Sequence, residues 1–178
     1  KWIVGFSDIT VLNSHINTLG VSTIHGIMPY TVPNTFGTSI ESLKKALFGE
    51  SLSYEISSHF DNRIGKTTGE LVGGNLSIIY SLLGSESSID TNGKILYIED
   101  LDEYLYHIDR MMQNLKRNGY FKKLKGLIVG GMTDMHDNSI PFGLDAIGII
   151  KDVTSEYDFP ICFDFPAGHV KDNRALRL

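Results

Sequence analysis

Short apolar runs that alternate with helical spacing constrain the fold of this chain more than any other feature. Residues 94–98 and 126–131 have the length and the apolar side chains of buried parallel strands. The segment between them carries apolar residues at helical spacing: Leu105, Ile108, Met111, Met112 and Leu115. Strands that alternate with helices in this way predict an α/β fold.

Composition and charge restrict the classes of partner. The 178 residues include 16 basic and 21 acidic side chains, which give a formal net charge of -5. This balance argues against nucleic acid or an anionic membrane as the main partner. No apolar run approaches the ~20 residues that cross a bilayer. The single cysteine, Cys162, excludes a disulfide within the chain and fits a reducing compartment.

A weak polar pattern divides the chain. Residues 49–65 lack sustained periodicity, apart from an alternation that starts at Leu52 and resembles an exposed strand. We therefore place a linker there, between a first unit at 1–48 and a second unit at 66–178. The chain has no initiator Met and begins inside a predicted strand, so we expect it to be part of a longer protein.

Residues 2–12 combine a short strand, a sharp turn and the start of a helix. Residues 2–4 are apolar and suit a strand buried on both faces, and Gly5 then begins the turn. The residues at helical spacing that follow are Ile9, Leu12, His15, Ile16 and Leu19. The hydroxyl of Ser7 would project beside the unpaired N–H groups of the helix, as in a nucleophile elbow. Alternatively, Ser7 or Asp8 caps the helix, and these residues alone favour the cap.

Polar residues follow several predicted strands, which is where open α/β sheets place their ligands. Glu99 comes directly after an apolar strand, and His169 follows a Pro-Ala-Gly turn. His25 also follows a strand, but His169 is the better candidate base, because an imidazole that activates serine needs an orienting carboxylate. Ser7, Glu99 and His169 thus have the order nucleophile, acid, base, which occurs among serine hydrolases. The sequence alone does not show that they meet.

Two further segments leave alternatives open. Asp134, His136 and Asp137 are possible metal ligands, but their crowding in one loop without a second ligand cluster favours a solvated loop. Gly73 and Gly74 let the backbone approach either another segment or a ligand. No metal or organic cofactor is predicted.

Five motifs, in order, resemble those of the LD-carboxypeptidase family of serine peptidases, which includes muramoyltetrapeptide carboxypeptidases and microcin-immunity peptidases. The motifs are Gly5-Phe6-Ser7-Asp8-Ile9-Thr10, His25-Gly26, Gly73-Gly74-Asn75-Leu76, Ile98-Glu99-Asp100 and Gly168-His169. By this resemblance, Ser7 is the nucleophile, Glu99 the acid and His169 the base. Residues 1–48 would be the tail of a nucleophile-bearing α/β domain. Residues 66–178 would form a mixed α/β domain of the swivelling type.

The resemblance also implies a reaction: hydrolysis of an L,D-peptide bond that releases D-alanine from a murein tetrapeptide in the cytoplasm, during cell-wall recycling. The Asp8 N–H would be one oxyanion donor, and the family's second donor would lie in an upstream segment that this chain lacks. Gly73, Gly74 and Asn75 would contact the small peptide substrate. Two alternatives stay open, an immunity-type peptidase that cleaves a peptide–nucleotide antibiotic and a non-catalytic peptide-binding domain. A homodimer is compatible with each of these functions.

Overall fold

The computed structural model describes residues 1–178 and contains a three-stranded and a four-stranded sheet. The strands are β1 (Val4–Gly5), β2 (Ile24–His25), β3 (Leu71–Asn75), β4 (Ile95–Leu101), β5 (Gly126–Thr133), β6 (Ile161–Cys162) and β7 (Leu176–Arg177). The helices are α1 (Thr10–Thr18), α2 (Gly37–Leu47), α3 (Leu76–Ser81), α4 (Leu105–Arg117) and α5 (Ala146–Val153). Short 3₁₀ turns lie at Ser7–Ile9 and Val32–Asn34. No helix has the length and apolar character to cross a membrane.

The larger sheet has the order β3-β4-β5-β6, and all of its strands are parallel. Its strands pack with α3, α4 and α5 around a core of 21 buried residues. Helix α4 contributes Ile108, Met111, Met112 and Leu115, as its spacing predicts. Because parallel strands all end at the same edge, the polar residues among the last residues of β3 and β4 meet there: Asn75 ends β3, and β4 continues through Glu99 and Asp100 instead of ending before them.

The smaller sheet joins the two ends of the chain. Strand β1 pairs in parallel with β2, and β7 pairs antiparallel with the other edge of β2. The last residues therefore lie beside the first unit, with Arg177 opposite Ile24. The unit boundaries at residues 48 and 66 stay predictions.

The first helix buries a different face from the predicted one. Leu12 and Leu19 are 49% and 67% exposed, whereas Thr10, Asn13 and Ser14 are buried. Small polar side chains fit here because α1 packs closely against the glycines of β3. The prediction of a strand buried on both faces at residues 2–4 is also wrong, since β1 begins at Val4 and Trp2 and Ile3 are exposed.

The segment between the two units forms no strand, contrary to the alternation that starts at Leu52. Its backbone pairs with a strand only at Arg63, which forms an isolated antiparallel bridge with Ile161, and side chains anchor the part near Leu52. The Tyr54 hydroxyl donates to the Ala175 carbonyl at 2.6 Å, and its ring packs edge-on against Phe165. Alternate side chains near Tyr54 therefore face the protein, as they would in a strand, although this part of the segment has no hydrogen-bonded partner strand.

Candidate active site

A buried carboxylate holds the candidate base. Glu99, at the C-terminal half of β4, is 0% exposed, and its Oε2 accepts a hydrogen bond from Nδ1–H of His169 at 2.7 Å. The same oxygen accepts from the His169 backbone N–H at 3.1 Å. Two bonds to one residue fix both the loop and the ring. They place the proton of the neutral imidazole on Nδ1 and leave Nε2 as the acceptor.

The residue before the histidine must be glycine. Gly168 has a φ of +101°, and a Cβ there would lie 2.5 Å from Oε2 of Glu99. Its N–H donates to Oδ1 of Asn173 at 2.9 Å, which closes the loop on the buried side. The close approach of backbone to carboxylate therefore depends on the missing side chain.

The second oxygen of the carboxylate is held by Asn75, at the end of β3. The Asn75 amide donates from Nδ2 to Oε1 of Glu99 at 3.3 Å and to Oδ1 of Asp100 at 2.9 Å. Burial raises the pKa of Asp100 to about 6, although the N–H groups of Leu101 and Ser77 and the Asn75 amide stabilise its charge. The Asn75 amide thus donates to both of the neighbouring carboxyl groups, those of Glu99 and Asp100.

The turn that carries Ser7 has the strained backbone of an elbow. Ser7 has a φ of +58°, in the left-handed region that few residues other than glycine adopt. The turn is so tight that a Cβ on Gly5 would lie 2.7 Å from Ile9. Phe6 and Ile9 occupy the cap positions of the 3₁₀ turn and of α1, without a capping side chain. The interpretation that Ser7 or Asp8 caps the helix is therefore wrong.

The elbow lies beside the base, but the two do not bond directly. The Phe6 ring packs edge-on against the His169 ring, with the centroids 5.0 Å apart. No hydrogen bond joins the Ser7 hydroxyl to His169 in this structure. Catalytic hydrogen bonds are often long before substrate binds, so this arrangement is compatible with a serine–histidine pair.

His25 is enclosed and does not face the cleft. It is 0% exposed, and its Nε2 lies 3.3 Å from the Tyr97 hydroxyl. Burial lowers the pKa of His25 to about 4, so the ring is neutral near pH 7. A neutral, buried imidazole packed on Tyr97 suits a structural role, which leaves His169 as the better candidate base.

The two glycines of β3 contact protein. A Cβ on Gly73 would lie 1.9 Å from the Tyr97 carbonyl oxygen, and one on Gly74 would lie 2.4 Å from Oγ1 of Thr10. Both have positive φ, at +131° and +149°. They allow β3 to approach β4 on one side and α1 on the other. A contact of these residues with substrate stays a prediction.

A cleft of about 340 Å³ opens beside the base. Phe6, Tyr30, Asp134, His169 and Lys171 are among the residues that line it. Lys171 is the one lysine or arginine in that lining. The cleft therefore combines a half-buried imidazole with a single cation.

The loop after β5 is organised by hydrogen bonds to the residues before α4 and by bonds within the loop itself. His136 bonds through Nε2 to Asp102 at 2.5 Å, and Asp137 accepts from the backbone N–H of Phe142. Asp134 lies instead in the lining of the cleft. No group of three or more His, Cys, Asp or Glu side chains in the structure could hold a metal ion.

The charges around His169 favour its protonated form. Burial lowers the pKa of His169, but the hydrogen bond to Glu99 and the charges of Glu99, Asp100 and Asp8 outweigh it, so the pKa is raised. A histidine whose pKa is raised on folding stabilises the folded state fully below its unfolded pKa. That stabilisation is lost as the pH rises through the folded-state pKa.

Sequence reasoning does not reveal Thr10 and Asn173 as parts of the site. Thr10 Oγ1 accepts from the Asn75 N–H at 3.0 Å, and Asn173 holds Gly168. Thr10 lies in a motif, but its partner is 65 residues away. Asn173 lies in no periodic segment, so no sequence signal points to it.

Comparison with known proteins identifies the family. A family model described as the LD-carboxypeptidase C-terminal domain matches residues 68–178, more than half of the chain. The chain belongs to the LD-carboxypeptidase family. The resemblance inferred from the motifs is therefore confirmed.

Two relatives show the range of the LD-carboxypeptidase family. The probable murein peptide carboxypeptidase of Bacillus subtilis is 36% identical over 185 residues, covering 98% of this chain and 56% of the relative. The microcin C7 self-immunity protein MccF of Escherichia coli is 33% identical over 107 residues, covering 59% of this chain and 31% of MccF. The chain thus spans little more than half of the length of the Bacillus protein.

A solved structure shows the same fold. The muramoyltetrapeptide carboxypeptidase from Oxalobacter formigenes superposes with a TM-score of 0.89 at 27% identity, covering 99% of this chain and 62% of the other. The predicted fold class is confirmed: a mixed α/β structure with a parallel sheet, which includes the C-terminal domain of the two-domain LD-carboxypeptidase fold.

The Glu99–His169 ion pair predicts a measurable change in the pKa of His169 when Glu99 is replaced. In Glu99→Gln, the pKa of His169 should fall below its wild-type value, because burial remains while the charge and the strong acceptor are lost. NMR titration of the imidazole Cε1–H measures it. Glu103→Gln is the matched control, since Glu103 pairs with His107 at 2.6 Å and should leave His169 unchanged. An unchanged His169 pKa in Glu99→Gln would contradict the assignment.

Proposed function

We propose that this protein is a serine LD-carboxypeptidase that releases the terminal D-alanine of murein tetrapeptides, in the cytoplasm, during cell-wall recycling. The observation that carries the proposal is the buried Glu99–His169 pair beside the strained turn of Ser7. A buried carboxylate loses solvation, and a buried ion pair is often no more stabilising than apolar residues of the same volume, so stability alone does not account for this pair. The names of the Bacillus and Oxalobacter relatives support a murein peptide as substrate.

The residues have defined roles in this reaction. His169 accepts the Ser7 proton at Nε2 as Ser7 Oγ bonds to the carbonyl carbon of the L-configured centre. Glu99 stabilises the imidazolium through Nδ1–H, and the Asp8 backbone N–H donates to the oxyanion. The C–N bond then breaks, and His169 returns the proton to the departing amine of D-alanine. Water hydrolyses the acyl-enzyme by the same route and regenerates Ser7.

The cleft has the chemistry that a carboxypeptidase needs. Its substrate ends in a free carboxylate, which an endopeptidase would not have to bind. Lys171, two residues after His169, is the one cation in the cleft lining. In the proposed complex its ammonium pairs with the substrate carboxylate and so places the last peptide bond at Ser7.

An immunity-type peptidase is the second candidate, favoured by the 33% identity to MccF over 107 residues. It would use the same three catalytic residues on a peptide–nucleotide conjugate. A non-catalytic binding domain is less consistent with the site, since it has no need of the Glu99–His169 pair.

The natural full-length protein tests the proposal when it is incubated with murein tetrapeptide and followed by mass spectrometry. We expect loss of one D-alanine, and a kcat about 10⁴-fold lower in Ser7→Ala and in His169→Ala. Glu99→Gln should also lose activity, because the imidazole is no longer held in the required tautomer. Ser155→Ala, on an exposed turn, is the matched control and should retain activity.

Two results would contradict the proposal. One is a wild-type protein that releases no D-alanine, and cleavage of a peptide–nucleotide conjugate in a parallel reaction would then favour the immunity role. The other is a Ser7→Ala variant that keeps most of its activity, which would exclude the serine mechanism.

Lys171 generates a separate prediction on specificity. Lys171→Ala should lower kcat/KM for the tetrapeptide about 10–100-fold, the effect of one charge-assisted hydrogen bond. The tetrapeptide C-terminal amide, which lacks the charge, should lose far less. Lys125→Ala, an exposed lysine at the opposite end of β5, is the control. Equal losses on the acid and the amide would show that Lys171 does not recognise the carboxylate.

A further inference from the structure

Thr10 lies where the elbow meets the larger sheet. It is 0% exposed and is the first residue of α1. Its backbone N–H donates to the Ser7 carbonyl, and its Oγ1 accepts a hydrogen bond from the Asn75 N–H at 3.0 Å. One residue therefore holds the peptide of the candidate nucleophile and the end of β3.

The connection continues to the acid. The Asn75 side chain donates to Oε1 of Glu99, whose other oxygen holds His169. Ser7 and His169 are thus joined by a continuous series of hydrogen bonds that passes through Thr10, Asn75 and Glu99. The three middle residues, Thr10, Asn75 and Glu99, are buried. The two end residues are partly exposed, where substrate would bind.

Few polar contacts other than that of Thr10 join α1 to the second unit, although the rest of the first unit has further bonds to residues 171–178. Helix α1 makes one other side-chain hydrogen bond to the second unit, from His15 to Ser87, and that bond is exposed. Packing reinforces the Thr10 contact, because Gly74 has no side chain and Thr10 fills the space where its Cβ would be. The position of α1, and of the elbow that precedes it, relative to β3 is therefore set largely at Thr10.

We propose that Thr10 is a positioning residue, whose hydroxyl fixes Ser7 relative to the Glu99–His169 pair. This inference rests on the proposed function and deepens it. Thr10 itself touches no substrate. Without its hydroxyl the buried Asn75 N–H has no acceptor, so the elbow and the sheet are free to shift apart. Catalysis is sensitive to such shifts, since a displacement of about 1 Å can cost roughly 10²-fold in rate.

Two substitutions separate positioning from packing. Thr10→Val keeps the shape of the side chain and removes the hydroxyl, whereas Thr10→Ser keeps the hydroxyl. Thr154→Val is the matched control: Thr154 is also 0% exposed, and its hydroxyl bonds to a helix carbonyl at the far end of α5. All three are made in the natural full-length protein, and their melting temperatures are measured alongside activity.

Two reactions report on the site. The first is D-alanine release from tetrapeptide, with kcat and KM determined separately. The second is labelling of Ser7 by a fluorophosphonate, which needs no peptide. There Ser7 Oγ bonds to phosphorus, the P–F bond breaks, fluoride leaves and His169 takes the serine proton. The second reaction distinguishes failure of the positioning role from failure of the proposed substrate.

Thr10→Val should lower both kcat and the labelling rate about 10–100-fold, with KM changed less than about threefold. Thr10→Ser and Thr154→Val should stay within about threefold of wild type in both reactions. The positioning role is overturned if Thr10→Val reacts at the wild-type rate, or if Thr10→Ser falls as far as Thr10→Val. A wild-type protein that is labelled but releases no D-alanine contradicts only the substrate. One that does neither contradicts both proposals.

Discussion

The Glu99 carboxylate is fully buried near the end of β4, and the surrounding residues are arranged so that both of its oxygens accept hydrogen bonds. An isolated buried charge is costly, and here three donors offset that cost: the ring and backbone N–H of His169 and the Asn75 amide. Each donor requires local geometry of its own. The loop of His169 needs the glycine at 168, and Asn75 needs the strand end next to β4.

The site lies at the junction of two sheets, and neither sheet contains all of it. The elbow follows β1 of the smaller sheet, whereas Glu99 belongs to the larger one. Several contacts hold the sheets together, among them the contact of His25 with Tyr97, the close packing of Thr10 on Gly74, and the return of β7 to β2. In the proposed mechanism, catalysis by Ser7 would therefore depend on contacts between the units as well as on the residues that react.

The sequence predicts what is local and strongly periodic. Strand β4 and helix α4 follow from apolar spacing, and Glu99 stands out because a carboxylate rarely continues such a strand directly. The buried face of α1 is not predictable in this way, because its partner is a glycine-rich strand that accepts small polar residues. Thr10 is missed for a related reason. A threonine at a helix start suggests a cap, and only the folded chain shows its hydrogen bond to β3.

In the proposed mechanism Ser7 and His169 act as one unit, and a double-mutant cycle on kcat in the natural full-length protein tests this most directly. Residues that act together are not additive, so Ser7→Ala/His169→Ala should be within about threefold of the slower single variant. If instead the two losses multiplied, the side chains would contribute independently, and the serine–histidine mechanism derived from this site would be wrong.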